Sequence, residues 1–147
     1  MPEIIPFKAL HFNQEEFKDI SSLVCPPYDV ISPGEQEHYS SASPYNFINI
    51  LLRKDPGAQE KYKKTGELFR SWIKDNVLVQ AKETAVYFYS HQYSIKGEKK
   101  MRLGFIALLR LGENDSTVFA HENTRQKAKD DRLNVLRATN ANLSPIF

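Results

Sequence analysis

The sequence is poor in cysteine, in glycine and in long apolar runs. Cys25 is the only cysteine among 147 residues, which excludes an internal disulfide framework, a Cys-x-x-Cys redox pair and a thiolate zinc cluster. The six glycines form neither a Gly-x-Gly-x-x-Gly nor a Gly-x-x-x-x-Gly-Lys loop, so the common phosphate-binding loops are absent. The longest apolar run, residues 105–109, is far shorter than the ~20 residues of a membrane-spanning helix. We therefore expect a soluble, cytoplasmic protein with no membrane partner.

Metal-ligating residues and charge of one sign are also scarce. The four histidines are far apart in the sequence, and His121-Glu122 does not continue as a zinc-protease motif because Arg125 stands where the second histidine is required. We expect no metal site. The net charge of only +2 argues against nucleic acid as a partner. A lone cysteine such as Cys25 is more typical of a small buried apolar residue than of a nucleophile.

The pattern of apolar residues predicts an α+β fold. We expect a mixed β-sheet with a long β-hairpin and about three helices packed on it, in a single domain spanning residues 1–147. The apolar ending at residues 144–147 indicates an incomplete larger domain. The predicted strands cover residues 4–12, 47–52 and 117–120, and the hairpin pairs residues 85–95 with 99–111 around Lys96-Gly97-Glu98.

Three helices are predicted from capping signals and from 3–4 spacing. The first begins after Ser32, with Pro33 at the first helical position and Glu35 completing a capping box, and ends near Tyr39. The second, from residue 55 to about residue 76, is the longest. The third covers residues 128–139. The side chains predicted to face inward are Tyr62, Thr65, Leu68, Phe69, Trp72 and Ile73 in the second helix, and Leu133 and Leu136 in the third.

The first motif that suggests a site is Pro26-Pro27-Tyr28-Asp29. Two prolines restrict the backbone just before the capped helix, whose free N–H groups and dipole favour anions. Tyr28 and Asp29 are therefore candidates for an anion or metal-phosphate site. The alternative is a loop in which Asp29 caps its own backbone and Tyr28 packs.

The second motif is the polar segment of residues 121–125, between a predicted strand and a predicted helix. Catalytic groups are enriched in such loops, and a carboxylate beside a histidine, as in Glu122 and His121, can act as a general base toward a hydroxyl. The alternative is a helix cap by Thr124 with solvated neighbours.

The hairpin carries a third pattern. Aromatic and basic side chains on a strand can stack single-stranded nucleic acid, whereas an aromatic strand face is more often core or a partner interface. On one face lie Tyr87, Tyr89, His91 and Tyr93, and near the turn lie Lys96, Lys99, Lys100 and Arg102.

Six segments together resemble a bacterial and archaeal family catalogued as domain of unknown function 1015. The likeness follows the order of the chain and spans nearly all of it. One departure is Asn123, where family members usually have arginine. The segments are Pro26-Pro27-Tyr28-Asp29-Val30-Ile31-Ser32, Ser43-Pro44-Tyr45-Asn46, His121-Glu122-Asn123-Thr124, Asp131-Arg132-Leu133, Leu136-Arg137-Ala138-Thr139 and Asn142-Leu143-Ser144-Pro145-Ile146-Phe147.

The resemblance implies a function. Members of that family are longer, and a later Asp-Gly-His-His-Arg segment in them resembles the phosphate-site motif of the ParB-like free-serine kinases, which are related in fold to sulfiredoxin. In those kinases a His-Glu pair precedes that segment. By this resemblance Glu122 is the base that takes the proton of the substrate hydroxyl, and His121 contacts phosphate or Glu122.

We therefore expect this chain to be the N-terminal region of a nucleotide-dependent kinase of a small hydroxyl metabolite, inactive by itself. The full-length protein would use ATP or ADP with Mg²⁺. Tyr28, Asp29, Thr124 and Arg125 are the expected substrate- or anion-binding residues. The alternative is a non-catalytic binding or assembly domain that uses the Tyr-rich hairpin as its interface.

Overall fold

The computed structural model describes residues 3–54, 57–110, 119, 123 and 125–143. These ranges contain four helices and three small two-stranded sheets, which confirms the α+β class. The strands pair as β1 with β6, β2 with β3 and β4 with β5, so the described strands form three separate sheets and not one mixed sheet. The elements are β1 (Ile4–Ile5), β2 (Leu10–Phe12), α1 (Pro33–Ala42), α2 (Ile48–Leu51), α3 (Ala58–Lys74), β3 (Leu78–Gln80), β4 (Tyr87–Ile95), β5 (Glu98–Ile106), β6 (Leu108–Leu109) and α4 (Gln126–Thr139).

The chain divides into two compact units. One comprises Met1–Leu10 and Gln80–Asn123, and the other comprises His11–Val79 and Thr124–Phe147. The single domain predicted from the sequence stays a prediction. No helix in the described ranges combines the length and the apolar character needed to cross a membrane.

The first unit is built on the hairpin of β4 and β5. Its turn residues Lys96 and Gly97 both have positive φ, +51° and +83°, as a tight two-residue hairpin turn requires. The hairpin prediction is therefore confirmed. Tyr87 of β4 binds the segment of residues 7–9. Its hydroxyl accepts a hydrogen bond from the Ala9 N–H (2.9 Å) and donates one to the Phe7 carbonyl (3.2 Å).

The second unit contains the main hydrophobic core. Trp72 of α3 lies at its centre, 2% exposed, and its ring contacts those of Phe12 and Tyr45. Burying aromatic side chains of this size supplies much of the stability of a small domain. The core comprises Ile50, Phe69, Trp72, Val77 and Leu78, with Phe12, Phe17, Tyr45, Phe47, Leu68, Ala141 and Leu143 packed against it.

Residues 47–52 were predicted as a strand, and this prediction is wrong. They contain the short helix α2, in which Ile48, Ile50 and Leu51 are buried. A short segment that is apolar at nearly every position has the same sequence pattern as a buried strand or as a buried helix. The helix begins where the Asn46 side-chain oxygen accepts a hydrogen bond from the Ile48 N–H (3.0 Å).

Two other strand predictions had different outcomes. Residues 4–12 form β1 and β2 with a break between them, because Pro6 has no N–H to donate to a ladder. The strand predicted over residues 117–120 lies largely outside the described residues.

The helix predictions are confirmed in position. The α1 capping box is present, with Ser32 and Glu35 exchanging hydrogen bonds, although the helix continues to Ala42. In α4 the inward positions were wrong, because Val135 and Thr139 are buried whereas Leu133 and Leu136 are exposed. The apolar leucines of α4 were assigned to the core by residue type, but the helix turns a different face toward α3.

The crossing of α3 and α4 depends on Gly66. A Cβ atom at this position would lie 2.4 Å from the carbonyl oxygen of Ala138 in α4, which is closer than nonbonded atoms approach. Glycine normally weakens a helix, but here it permits close contact between two helix backbones.

We expect the substitution Gly66→Ala to destabilise the protein by about 1–3 kcal/mol, because the helices must separate to admit the methyl group. Urea unfolding measures the change. Gly34→Ala in α1 is the matched control, since nothing lies within 4 Å of its added Cβ, and it should be neutral or stabilising by up to about 1 kcal/mol. Equal stabilisation by both substitutions would contradict the close crossing.

Candidate functional site

The predicted catalytic pair lies outside the described residues. This holds for His121 and Glu122, and also for Thr124, so their predicted roles stay predictions. Arg125, which precedes α4, is exposed and its side chain makes no capping hydrogen bond.

The Pro-Pro-Tyr-Asp turn is described in full. It is closed by a hydrogen bond from the Val30 N–H to the Pro27 carbonyl (3.2 Å). Asp29 is exposed and Tyr28 is half-buried. The α1 N-terminus that follows carries its own carboxylate, because Glu35 accepts a hydrogen bond from the Ser32 N–H (2.8 Å). Hydrogen bonds from the Ser32 hydroxyl and N–H lower the pKa of Glu35, so this helix end already holds an anion.

Tyr28 contacts a residue that the sequence analysis did not single out. The guanidinium carbon of Arg132, in α4, lies 4.1 Å from the centroid of the Tyr28 ring, which is within the range of a cation–π interaction. Arg132 Nη2 also donates a hydrogen bond to the Leu51 carbonyl at the end of α2 (3.1 Å). Arg132 thus joins α4 to α2 and to the Pro-Pro-Tyr-Asp turn.

Asp131 is the anionic centre beside Arg132. Its Oδ1 accepts hydrogen bonds from Lys61 Nζ (3.0 Å) and from the Tyr62 hydroxyl (2.8 Å), both in α3, and its Oδ2 accepts one from Arg132. Burial by itself raises the pKa of Asp131, but the hydrogen bonds from Arg132, Tyr62 and Lys61 outweigh it and the pKa is lowered. At neutral pH the cluster therefore contains two cations and one carboxylate.

Arg132 retains unused hydrogen-bonding capacity. Its Nε and Nη1 atoms are buried and have no hydrogen-bond partner among the described groups. Leaving a buried donor unpaired costs about 1–3 kcal/mol, more when the group is charged, so such groups are uncommon in native proteins. Arg132 and Lys129 also line a cavity of about 320 Å³ whose other described walls are mostly apolar, a volume at the lower end for small-molecule sites.

Asn46 determines the path of the chain into the Pro-Pro-Tyr-Asp turn. It is fully buried, and its side-chain amide donates hydrogen bonds to the carbonyls of Ser22 (2.8 Å) and Val24 (3.1 Å). Ser22 and Val24 lie just before Cys25 and the Pro-Pro-Tyr-Asp turn. The Ser43-Pro44-Tyr45-Asn46 segment therefore fixes the position of the chain that leads into this turn. Burial raises the pKa of the Cys25 thiol to about 11, so the thiol is protonated at neutral pH and a poor nucleophile.

Sequence reasoning identified Tyr28 and missed the residues it meets. Asp131-Arg132 belongs to one of the six segments of the family resemblance, which was the available signal, but nothing local to α4 shows that Arg132 faces Tyr28. Tyr62 was predicted only to face inward, and Lys61 gave no signal, because a lysine in an amphipathic helix is ordinary. No group of three or more metal-ligating side chains occurs in the part of the chain that the structure describes.

Comparisons with known proteins complete the description. The family model described as "Protein of unknown function (DUF1015)" matches residues 4–147. Neither the curated proteins nor the solved structures contain a match to the chain.

Proposed function

The chain belongs to the family described as "Protein of unknown function (DUF1015)", and from this premise we propose that it is the N-terminal region of a nucleotide-dependent kinase. The proposed substrate is a small metabolite that carries a hydroxyl and an anionic group, such as free serine. The phosphoryl acceptor is the hydroxyl.

The observation that supports this proposal is the contact between Tyr28 and Arg132. Tyr28 and Arg132 belong to two of the segments on which the family resemblance rests. The Arg132 guanidinium has two nitrogens, Nε and Nη1, without a hydrogen-bond partner among the described groups. A guanidinium is well suited to carboxylate and phosphate groups because its planar N–H groups match their oxygens in pairs. In the proposal, Arg132 binds the anionic group of the metabolite. Since both nitrogens are shielded from solvent, neighbouring side chains must move when the anion enters.

The remaining roles are carried by residues that the sequence analysis selected. Glu122 takes the proton of the acceptor hydroxyl, and His121 contacts phosphate or orients Glu122. Asp29, Thr124 and Arg125 line the substrate. Phosphoryl transfer depends mainly on positioning and on electrostatic stabilisation, which Mg²⁺ bound to ATP or ADP supplies in such enzymes. The described residues offer no metal-ligand cluster, so we assign no residue of this chain to Mg²⁺.

Titration of the chain with L-serine and O-phosphoserine tests the role of Arg132. We expect calorimetry to detect binding of at least one of them, and we expect Arg132→Met to weaken it by about 10- to 100-fold, because one charge-assisted contact contributes about 1.5–3 kcal/mol. Arg132→Lys keeps the charge but not the paired geometry, so its affinity should be intermediate. Mg-ATP alone should bind more weakly than micromolar.

The matched control is Arg137→Met, which removes an exposed arginine from the same helix and should leave binding unchanged. Circular dichroism establishes that each variant is folded, and Arg132→Lys carries the test if Arg132→Met does not fold. If the wild-type chain and both Arg132 variants bound the ligand with equal affinity, the proposed anion contact would be contradicted. Absence of binding by both ligands would contradict it as well.

A further inference from the structure

The two faces of the hairpin differ in chemistry. The register pairs Phe88 with Phe105, Ser90 with Leu103 and Gln92 with Met101, and cross-strand partners point to the same side of a sheet. The tyrosines and His91 occupy the other side, together with Lys100, Arg102 and Glu98, and the Glu98 carboxylate pairs with Lys100 Nζ (2.6 Å). We call these the apolar face and the basic face.

The apolar face is strongly exposed. The exposed fractions are 83% for Phe88, 70% for Leu103, 61% for Met101 and 53% for Phe105. Scattered exposed apolar residues are normal in proteins, but a contiguous apolar patch marks an interaction surface. The tyrosine side, which the sequence favours as an interface, exposes Tyr93 and Ile95, whereas the most exposed apolar side chains of the hairpin lie on the opposite side.

The outer edge of β5 adjoins both faces. Within the described residues β5 pairs only with β4, so its other edge presents backbone N–H and C=O groups in the spacing that an added strand requires. Along this edge the side chains alternate between Lys100 and Arg102 on the basic face and Met101, Leu103 and Phe105 on the apolar face.

We propose that the outer edge of β5 binds an extended segment of a partner protein in which acidic and apolar residues alternate. The partner segment would add a third strand to the hairpin. Its apolar side chains would extend the patch formed by Met101, Leu103 and Phe105. Its carboxylates would lie beside Arg102 and would compete with Glu98 for Lys100, since directly opposed opposite charges stabilise strand pairing. The backbone hydrogen bonds provide affinity, and the alternation provides specificity. This surface lies in the first unit and does not depend on the proposed kinase activity.

A second copy of the chain fits this edge less well. Pairing two antiparallel β5 strands about Leu103 would place Met101 opposite Phe105 but Arg102 opposite Gly104, so a second copy would cover the apolar residues and bring no carboxylate to Arg102. Nucleic acid also fits less well, because two of the aromatic rings are already engaged. Tyr87 is bonded to Phe7 and Ala9, and the Tyr89 ring packs so closely over Gly104 that an added Cβ would lie 2.5 Å from it.

A fluorescent peptide as long as β5, nine residues, tests the proposal. Its sequence alternates glutamate with valine, and a control peptide alternates lysine with valine. We expect fluorescence anisotropy with the 147-residue chain to give a dissociation constant below about 100 µM for the acidic peptide, and at least tenfold weaker binding for the basic one. Arg102→Glu and Leu103→Thr should each weaken binding of the acidic peptide about tenfold, since each removes one side of the alternation.

Lys63→Glu is the control for Arg102→Glu, because it makes the same charge change at an exposed position of α3 and should leave peptide binding unchanged. Both hairpin substitutions are at exposed positions, so circular dichroism should show folded variants. Equal binding of the two peptides, or no binding of the acidic one, would overturn the proposal. Tighter binding of an oligothymidine than of the acidic peptide would also overturn it. So would sedimentation experiments in which the wild-type chain forms a dimer and the Arg102→Glu variant does not.

Discussion

Replacing Glu122 by glutamine in the full-length protein is expected to lower turnover by at least about a hundredfold while leaving the melting temperature nearly unchanged. A general base contributes about 10²- to 10⁴-fold to a rate, and glutamine keeps the size of the side chain but cannot accept the proton. Phosphoserine production from serine and Mg-ATP, expressed per folded molecule, is the measurement. The loss should appear in kcat and in kcat/KM alike, because the proton is transferred only as the reaction proceeds.

The control for this prediction is Asn123→Arg, which restores the residue usual in the family and leaves the carboxylate in place. It should retain turnover. If Glu122 instead supports the loop or caps a helix, Glu122→Gln should reduce stability by up to about 1–2 kcal/mol and preserve turnover. That outcome would end the general-base proposal for this residue, and the binding tests on Arg132 would stand separately.

Replacing Asn46 by alanine is expected to destabilise the second unit by about 3–5 kcal/mol. The substitution leaves three backbone groups without their partner, namely the N–H of the buried Ile48 and the carbonyls of Ser22 and Val24, which the Asn46 side chain meets in part-buried contacts. Each group left unpaired away from water costs about 1–3 kcal/mol. Denaturant unfolding monitored by the fluorescence of Trp72, the only tryptophan, gives the free energy of unfolding. Because these bonds fix the segment that leads to Tyr28, ligand affinity at Arg132 should fall as well.

Asn49→Ala is the matched control for Asn46→Ala. Asn49 is only partly buried, and its side-chain amide donates two longer bonds, 3.3 Å each, to the carbonyls of Ser43 and Pro44. Water can replace these bonds in part, so the loss should be about 1 kcal/mol. Equal losses at positions 46 and 49 would show that burial of the amide is not what makes Asn46 important.

Features that depend on a few neighbouring residues were predictable from the sequence. Ser32 and Glu35 of the capping box are three positions apart, and the hairpin follows from strand-forming residues on both sides of Lys96-Gly97. In both cases the interacting groups are close along the chain, so their pattern appears directly in the amino-acid order.

Features that depend on which surfaces meet were not predictable. The segment of residues 47–52 is apolar at every position except Asn49, and only the packing of the second unit selects a helix over a strand there. Likewise a glycine inside a helix by itself indicates only a weak point, whereas the approach of α4 makes Gly66 the position that allows the two helices to touch. Leu133 and Leu136 were expected in the core, but the tertiary contacts place Val135 and Thr139 there.

The candidate site divides in the same way. The sequence by itself determined the α+β class, the rigid Pro-Pro-Tyr-Asp turn and the family resemblance, because these rest on local backbone preference and on residue order. Only the tertiary structure placed Arg132 against Tyr28 and left two of its donors without partners. Tyr28 and Arg132 are about a hundred residues apart in the chain. Their contact forms only when α4 packs beside α3, and no local sequence pattern encodes that packing.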